Sequence, residues 1–249
     1  MTEILDSTHT EVSGGVRPVR NHDAVAHAGM LNRLRAAVLG ANDGIISIAG
    51  LVMGVAGATT DSFALAASGI AGLVAGALSM AAGEYVSVSA QRDSERALLA
   101  KKAEQVRTRP QDELNELARM LRDKGMSEAT AREAARELTQ HDALAAHAEI
   151  ELRLDPGELT SPTQAAVSSL FSFALGALIP LLAMVLTPPG ARVAVTVVAV
   201  VAALFLTGLL SARAGRAPAP RAIVRNIGGG LLAMGITFAI GTVVGAQIG

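Results

Sequence analysis

The stretch Ala36-Ala37-Val38-Leu39-Gly40-Ala41-Asn42-Asp43-Gly44-Ile45-Ile46-Ser47-Ile48-Ala49-Gly50-Leu51-Val52-Met53 holds a single ionisable side chain, Asp43, among aliphatic residues and glycines. With its neighbours it is long and apolar enough to cross about 30 Å of hydrocarbon as a helix. At about 1.5 Å of rise per residue, a helix entering the bilayer near Arg35 carries Asp43 about 12 Å deep. A carboxylate at mid-membrane costs roughly 2.5–3.5 kcal/mol and usually faces a protein interior, a partner or a water-filled path. The Asp side chain is too short to snorkel out. A helix–helix hydrogen bond made by Asn42 and Asp43, with Ser47 one turn on, is the structural alternative; Asp43 is read here as functional.

Four more stretches have the same character. Together the five cover roughly 34–58, 63–89, 165–187, 191–212 and 222–247. The fold class expected is an all-α membrane protein: five transmembrane helices with a cytoplasmic helical insert between the second and third. The chain then divides into a disordered cytoplasmic tail (1–32), transmembrane helices 1 and 2 (33–90), the insert (91–162) and transmembrane helices 3 to 5 (163–249). In the insert Leu114, Leu117, Ala118 and Leu121 recur at helical spacing, as do Ala131, Ala134, Ala135 and Leu138, then Leu144, His147, Ala148 and Leu152. Two or three amphipathic helices are expected there. Asp155-Pro156-Gly157 and Ser161-Pro162 break the pattern before the third span.

Composition agrees. Hydrophobic residues make up 51% of the chain and aromatic ones only 2%, with no Trp and one Tyr. The mean hydropathy is positive, and long Ala, Val, Leu and Gly runs suit lipid better than one soluble core. A net charge of −1 and the lack of a basic patch with interleaved aromatics argue against a nucleic-acid partner. The absence of Cys excludes disulfides, thiolate metal sites and Cys nucleophiles. The polar start lacks the pattern of a signal peptide.

Basic residues set the orientation. With the N-terminus cytoplasmic, segments 1–35, 91–165 and 211–225 hold 20 of the 21 Lys and Arg residues, leaving only Arg192 outside. The C-terminus is then external, and a bacterial plasma membrane is the expected location. Glycines four apart, Gly50 and Gly54, Gly72 and Gly76, and Gly241 and Gly245, allow close helix approach, within the chain or across a homodimer seam.

The second span ends Gly76-Ala77-Leu78-Ser79-Met80-Ala81-Ala82-Gly83-Glu84-Tyr85-Val86-Ser87. Met80 and Glu84, four apart, share a helical face, with the thioether one turn deeper than the carboxylate. A hard carboxylate with a soft thioether suits a borderline divalent ion such as Fe²⁺ or Mn²⁺ better than Mg²⁺ or Ca²⁺, which prefer oxygen alone. Taken singly, Met80 also fits as packing filler and Glu84 as a helix-end carboxylate.

Asn42-Asp43-Gly44-Ile45-Ile46-Ser47 and Gly76 through Val86 together resemble the vacuolar iron transporter family, which has many bacterial members, and the chain is similar to a bacterial-type one from the first span through the fifth. The resemblance implies a five-span homodimer that exports cytosolic Fe²⁺ or Mn²⁺ in exchange for protons. It places Asp43 and Met80 in the path and makes the insert a metal-binding domain carrying several Glu residues. Three positions depart from the family pattern. An earlier pair of Glu positions is occupied by Lys102 and Gln105, with Glu104 between them. A carboxylate found in plant members two turns before the path Met corresponds here to Gly72.

Asp43, Met80 and Glu84 are therefore the expected transport pathway, with Glu84 receiving metal from the cytoplasm. In the insert, Glu113 and Glu116 share a face, and Glu149 and Glu151 come from a later helix able to pack beside them; these four are the candidate insert ligands. The alternative is a solvated face, since residues 91–165 carry 15 acidic and 12 basic groups. His141 and His147, six apart, are read as surface or packing residues. No resident cofactor is expected; lipid, protons and the transported ion are the partners. A di-iron oxidase would want Glu-x-x-His pairs, and the sequence has none, so an enzyme is not expected. The remaining rival is a transport-inactive membrane scaffold or a metal-sensing protein.

Overall fold

The computed structural model describes residues 22–154, 161–215 and 217–248. Among them there are no strands. Seven α-helices follow one another: α1 (His22–Ala58), α2 (Ser62–Thr108), α3 (Pro110–Asp123), α4 (Glu128–His147), α5 (Pro162–Leu186), α6 (Arg192–Ala214) and α7 (Ala219–Ile248), with a π-helical turn at Ala148–Leu152 directly after α4. Five of them are long and apolar enough to cross a membrane: Ala37–Ala58 of α1, and α2, α5, α6 and α7. The tail expected over 1–32 lies outside the described residues up to 21, and α1 extends back to His22. The Asp155-Pro156-Gly157 break also lies outside them.

α1 is the hub. It packs along α5 and α7 and also touches α2 and α6, and half of its span is buried, more than in any other. Ile45, Ile48, Ala49, Val52 and Met53 of α1 form the centre of the membrane core with Phe173, Leu181, Met184, Leu204 and Met234. Glycines set the close crossings. A Cβ on Gly44 would run into the carbonyl oxygen of Phe173, and one on Gly176 into that of Ala41, so α1 and α5 meet backbone to backbone. Gly241 and Gly245 meet Gly54 and Ala58 in the same way and seat α7 on α1. These small-residue stripes therefore serve packing within the chain. Large apolar side chains such as Phe171, Leu175, Val198, Leu206, Val224 and Leu232 remain on the outer surface, where lipid accommodates them.

Helix ends follow local chemistry. Asp61 caps α2, its carboxylate accepting from the backbone N–H groups of Phe63 and Ala64 at 3.1 and 3.2 Å. Ser161 caps α5 with Pro162 in its first turn, so the Ser-Pro pair that ends the insert also starts the third span. Arg192, at the start of α6, is only 5% exposed. Its guanidinium donates to the Thr60 carbonyl at 3.3 Å and to Ser62 Oγ at 2.9 Å, pinning the α1–α2 turn.

The insert differs from the expected set of separate helices in one respect. α2 runs unbroken through residue 90 to Thr108, since Ala, Leu, Lys, Gln and Glu dominate this stretch and no Gly or Pro interrupts it. At 47 residues it is about 70 Å long, over twice the hydrocarbon thickness, and its C-terminal part projects from the membrane. α3 and α4 pack on that projection around their own core of Leu117, Leu121, Ala131, Ala135 and Ala146. α4 bends at Asp142, whose backbone leaves helical geometry and whose Oδ1 accepts from the Ala145 N–H at 2.9 Å. The bend turns the last residues of α4 into the insert.

Candidate functional site

A cavity of about 330 Å³ lies between α1, α2 and α5. α1 contributes Asp43, Ser47, Ile48 and Leu51, α2 contributes Gly72, Gly76, Ser79 and Met80, and Phe173 of α5 closes one side. At about 30 Å³ per water the space holds on the order of ten waters, enough for a divalent ion with its six-fold hydration shell. Two of its walls exist because they lack a side chain. A Cβ on Gly72 would overlap Leu51, and one on Gly76 would overlap the Phe173 ring.

Among the described residues, Asp43 makes no side-chain hydrogen bond to another helix. Ser47 Oγ donates to its Oδ1 only weakly, at 3.5 Å, from the same helix, while the neighbouring Asn42 takes the interhelical role and accepts from Thr207 Oγ1 at 3.1 Å. Asp43, Ser47 and Ser79 are exposed on the single chain, so the cavity is open on one side. Carboxylate oxygen, hydroxyls and a thioether around one space form a donor set suited to a borderline divalent cation. Glu84, one turn beyond Met80, is exposed and outside the cavity lining.

A second cluster lies in the insert. Lys102 of α2 is 4% exposed. Its Nζ lies 2.8 Å from Glu113 Oε2, 2.8 Å from Glu151 Oε2 and 3.8 Å from Glu116 Oε2. His147 stands against the same two oxygens, Nδ1 at 2.9 Å from Glu151 Oε2 and Nε2 at 3.7 Å from Glu113 Oε2. Burial works against the Lys102 charge, but hydrogen bonds to Glu113 and Glu151 and their charges outweigh it and raise its pKa. Burial likewise opposes the Glu151 carboxylate, yet bonds from Lys102 and His147 hold its pKa below the usual value. Ligand atoms of Glu113, His147 and Glu151 fall within 4.8 Å of one another. Glu149 is exposed and stands outside the group.

Residues 34–242 match the sequence profile of the VIT family. The chain belongs to the VIT family. It is 38% identical over 215 residues to vacuolar iron transporter homolog 4 of Arabidopsis thaliana, covering 86% of this chain and 85% of the relative. Vacuolar iron transporter homolog 1 of Oryza sativa subsp. japonica is 38% identical over 229 residues, covering 92% and 80%. VIT-like transporter 1b of Glycine max is 34% identical over 228 residues, covering 91% and 82%. With five apolar helices of spanning length, this VIT-family chain is an integral membrane protein.

In this VIT-family chain the structure brings Asp43 and Met80 to one cavity and leaves Glu84 a turn away. Gly72 lines the same cavity and brings no carboxylate to it. Of the four insert carboxylates, Glu113, Glu116 and Glu151 converge and Glu149 does not. Of the surface and packing roles read for His147, burial supports packing; sequence reasoning missed its contact with Glu151, for which the spacing of four was the available signal. Phe173 carried no signal, because its place in the cavity depends on the α1–α5 crossing.

Proposed function

We propose that this chain moves a divalent transition-metal ion, Fe²⁺ or Mn²⁺, out of the cytosol in exchange for protons. The carrying observation is the cavity that gathers Asp43, Ser47, Ser79 and Met80 between α1, α2 and α5. The names of the relatives, vacuolar iron transporter homologs, support iron as cargo. Glu84, on the Met80 face of α2, receives the ion at the cytoplasmic mouth, and Asp43 with Met80 passes it on. The transport reading sets the chain apart from enzymes: the ion crosses chemically unchanged.

Orientation follows the basic residues. The insert and the N-terminus face the cytosol and the C-terminus faces the opposite side. The lone basic residue of the far side, Arg192, is consumed in holding the α1–α2 turn. Moving one charge against the membrane potential costs about 2.3 kcal/mol per 100 mV, so a divalent ion leaving a negative interior costs roughly twice that. A channel would run inward, and proton exchange on the path carboxylates supplies the drive.

A homodimer is part of the reading. Asp43 is exposed on the single chain although it sits within a membrane-spanning helix, and lipid is a poor neighbour for a carboxylate. A second copy covering the open side of the cavity removes that conflict and encloses the path.

The test is ion uptake into proteoliposomes with an imposed pH gradient, comparing Fe²⁺, Mn²⁺ and Mg²⁺ in wild type and Asp43→Ala. Gradient-dependent movement of Fe²⁺ or Mn²⁺ that disappears in the folded variant is expected. Wild-type rates in Asp43→Ala would exclude this path, and no movement of any ion by folded wild-type protein would favour a membrane scaffold.

A further inference from the structure

The insert contains the donors of a metal site, and a side chain of the protein already occupies it. Glu113, His147 and Glu151 have the mutual distances of a three-ligand set, yet the two carboxylate oxygens that would bind an ion are the two that accept hydrogen bonds from Lys102 Nζ at 2.8 Å. A divalent transition ion bonds carboxylate oxygen at about 2.0–2.2 Å. Drawing both oxygens to that distance sets the ion against an ammonium group. An ammonium has three donors and no lone pair to offer, so it repels the ion and cannot coordinate it. Glu116, the third carboxylate, is divided between Lys102 at 3.8 Å and Arg119 at 3.6 Å. Lysine is almost never fully buried without such pairing, which marks the arrangement as built around the cation.

We propose that the Lys102 ammonium is the resident cation of the insert, taking the position among Glu113, Glu116 and Glu151 that a metal ion would need and locking α2, α3 and the π-helical turn together with no metal bound there. The residues do not fit a metal-loaded insert in this chain. The insert keeps its shape whatever the metal supply. The proposal is independent of the transport reading, since it concerns only the occupancy of the insert.

Mn²⁺ binding to the full-length protein in nanodiscs, counted by electron paramagnetic resonance, tests it together with hydrogen exchange of residues 102–152. In wild type, Mn²⁺ and chelator are expected to leave exchange of this segment unchanged, and Glu113→Gln is expected to leave the number of bound ions unchanged while loosening the segment. Lys102→Gln is expected to gain one Mn²⁺ per chain, and adding Glu113→Gln to it removes that ion. Protection of the wild-type segment by Mn²⁺, or loss of a bound ion in Glu113→Gln, would overturn the proposal. So would a folded Lys102→Gln that gains no ion. The wild-type exchange comparison needs no variant and decides the matter even where Lys102→Gln does not fold.

Discussion

Thr207 Oγ1 donates to Asn42 Oδ1 across 3.1 Å and so ties α6 to α1 one residue before Asp43. The two adjacent polar residues of the first span divide their work: Asn42 packs helices and Asp43 faces the cavity. Interhelical hydrogen bonds in membranes average about 0.6 kcal/mol, reaching about 1.7. Thr207→Val is expected to cost an amount in that range with transport retained, and Asn42→Ala combined with it to cost less than the sum of the two. A thermal-unfolding double-mutant cycle in detergent checks this; additive losses would mean that the bond contributes nothing.

The Phe173 ring stands where a side chain at Gly76 would go. Gly76→Ala is expected to fill part of the cavity, to destabilise by about 1–3 kcal/mol through overpacking, and to slow ion uptake. Gly76→Ala with Phe173→Leu, which shortens the opposing side chain, is expected to recover both in the same uptake and melting assays.

Among the described residues lining the cavity, Met80 contributes the one soft donor. Met80→Leu keeps volume and apolarity while removing the thioether. The expected result is uptake in which the preference for Fe²⁺ or Mn²⁺ over Mg²⁺ falls about tenfold, equivalent to about 1.4 kcal/mol. Competition assays at fixed pH gradient give the ratio directly.

The insert's pH window follows from its ion pairs. Glu151 has a folded pKa below the ordinary 4.5, so its contribution is complete above that value and is lost as pH falls through the lower folded one. Lys102 has a folded pKa above the ordinary 10.5, so its contribution is complete below that value and is lost as pH rises through the higher folded one. Hydrogen exchange of residues 102–152 should therefore show no loss of these two contributions between about pH 5 and pH 10, and Glu151→Gln should remove part of the acid-side loss.

Asp142 caps the last part of α4 through the Ala145 N–H. Asp142→Ala is expected to cost about 1 kcal/mol and to raise exchange around His147, while Asp142→Asn, which retains the acceptor oxygen, costs less.

The five spans were legible because lipid imposes a length and a polarity on each helix, and 34–58, 165–187 and 191–212 fall within a few residues of the helices found. Asp43 was legible because an ionisable group stands out against apolar neighbours, whereas Met80 was legible only through its spacing of four from Glu84 and the family resemblance. The reach of α2 to Thr108 was hidden because composition changes at residue 90 while helix propensity does not. The environment of Lys102 was not readable from spacing. It depends on the π-helical turn at Ala148–Leu152 and the bend at Asp142, which together bring Glu151 to a helix whose partner residues are far away in sequence.

Met80 and Lys102 lie on the same unbroken helix, about 33 Å apart along its axis. Lys102 is clamped to α3 and to the π-helical turn, so the insert and the cavity wall share a single rod. A tilt of α2 by about 10° about Met80 carries the Lys102 end sideways by about 6 Å. A spectroscopic label on the outside of the insert thus becomes a pointer on a dial, magnifying small movements of the cavity wall while leaving the cavity itself free of any probe.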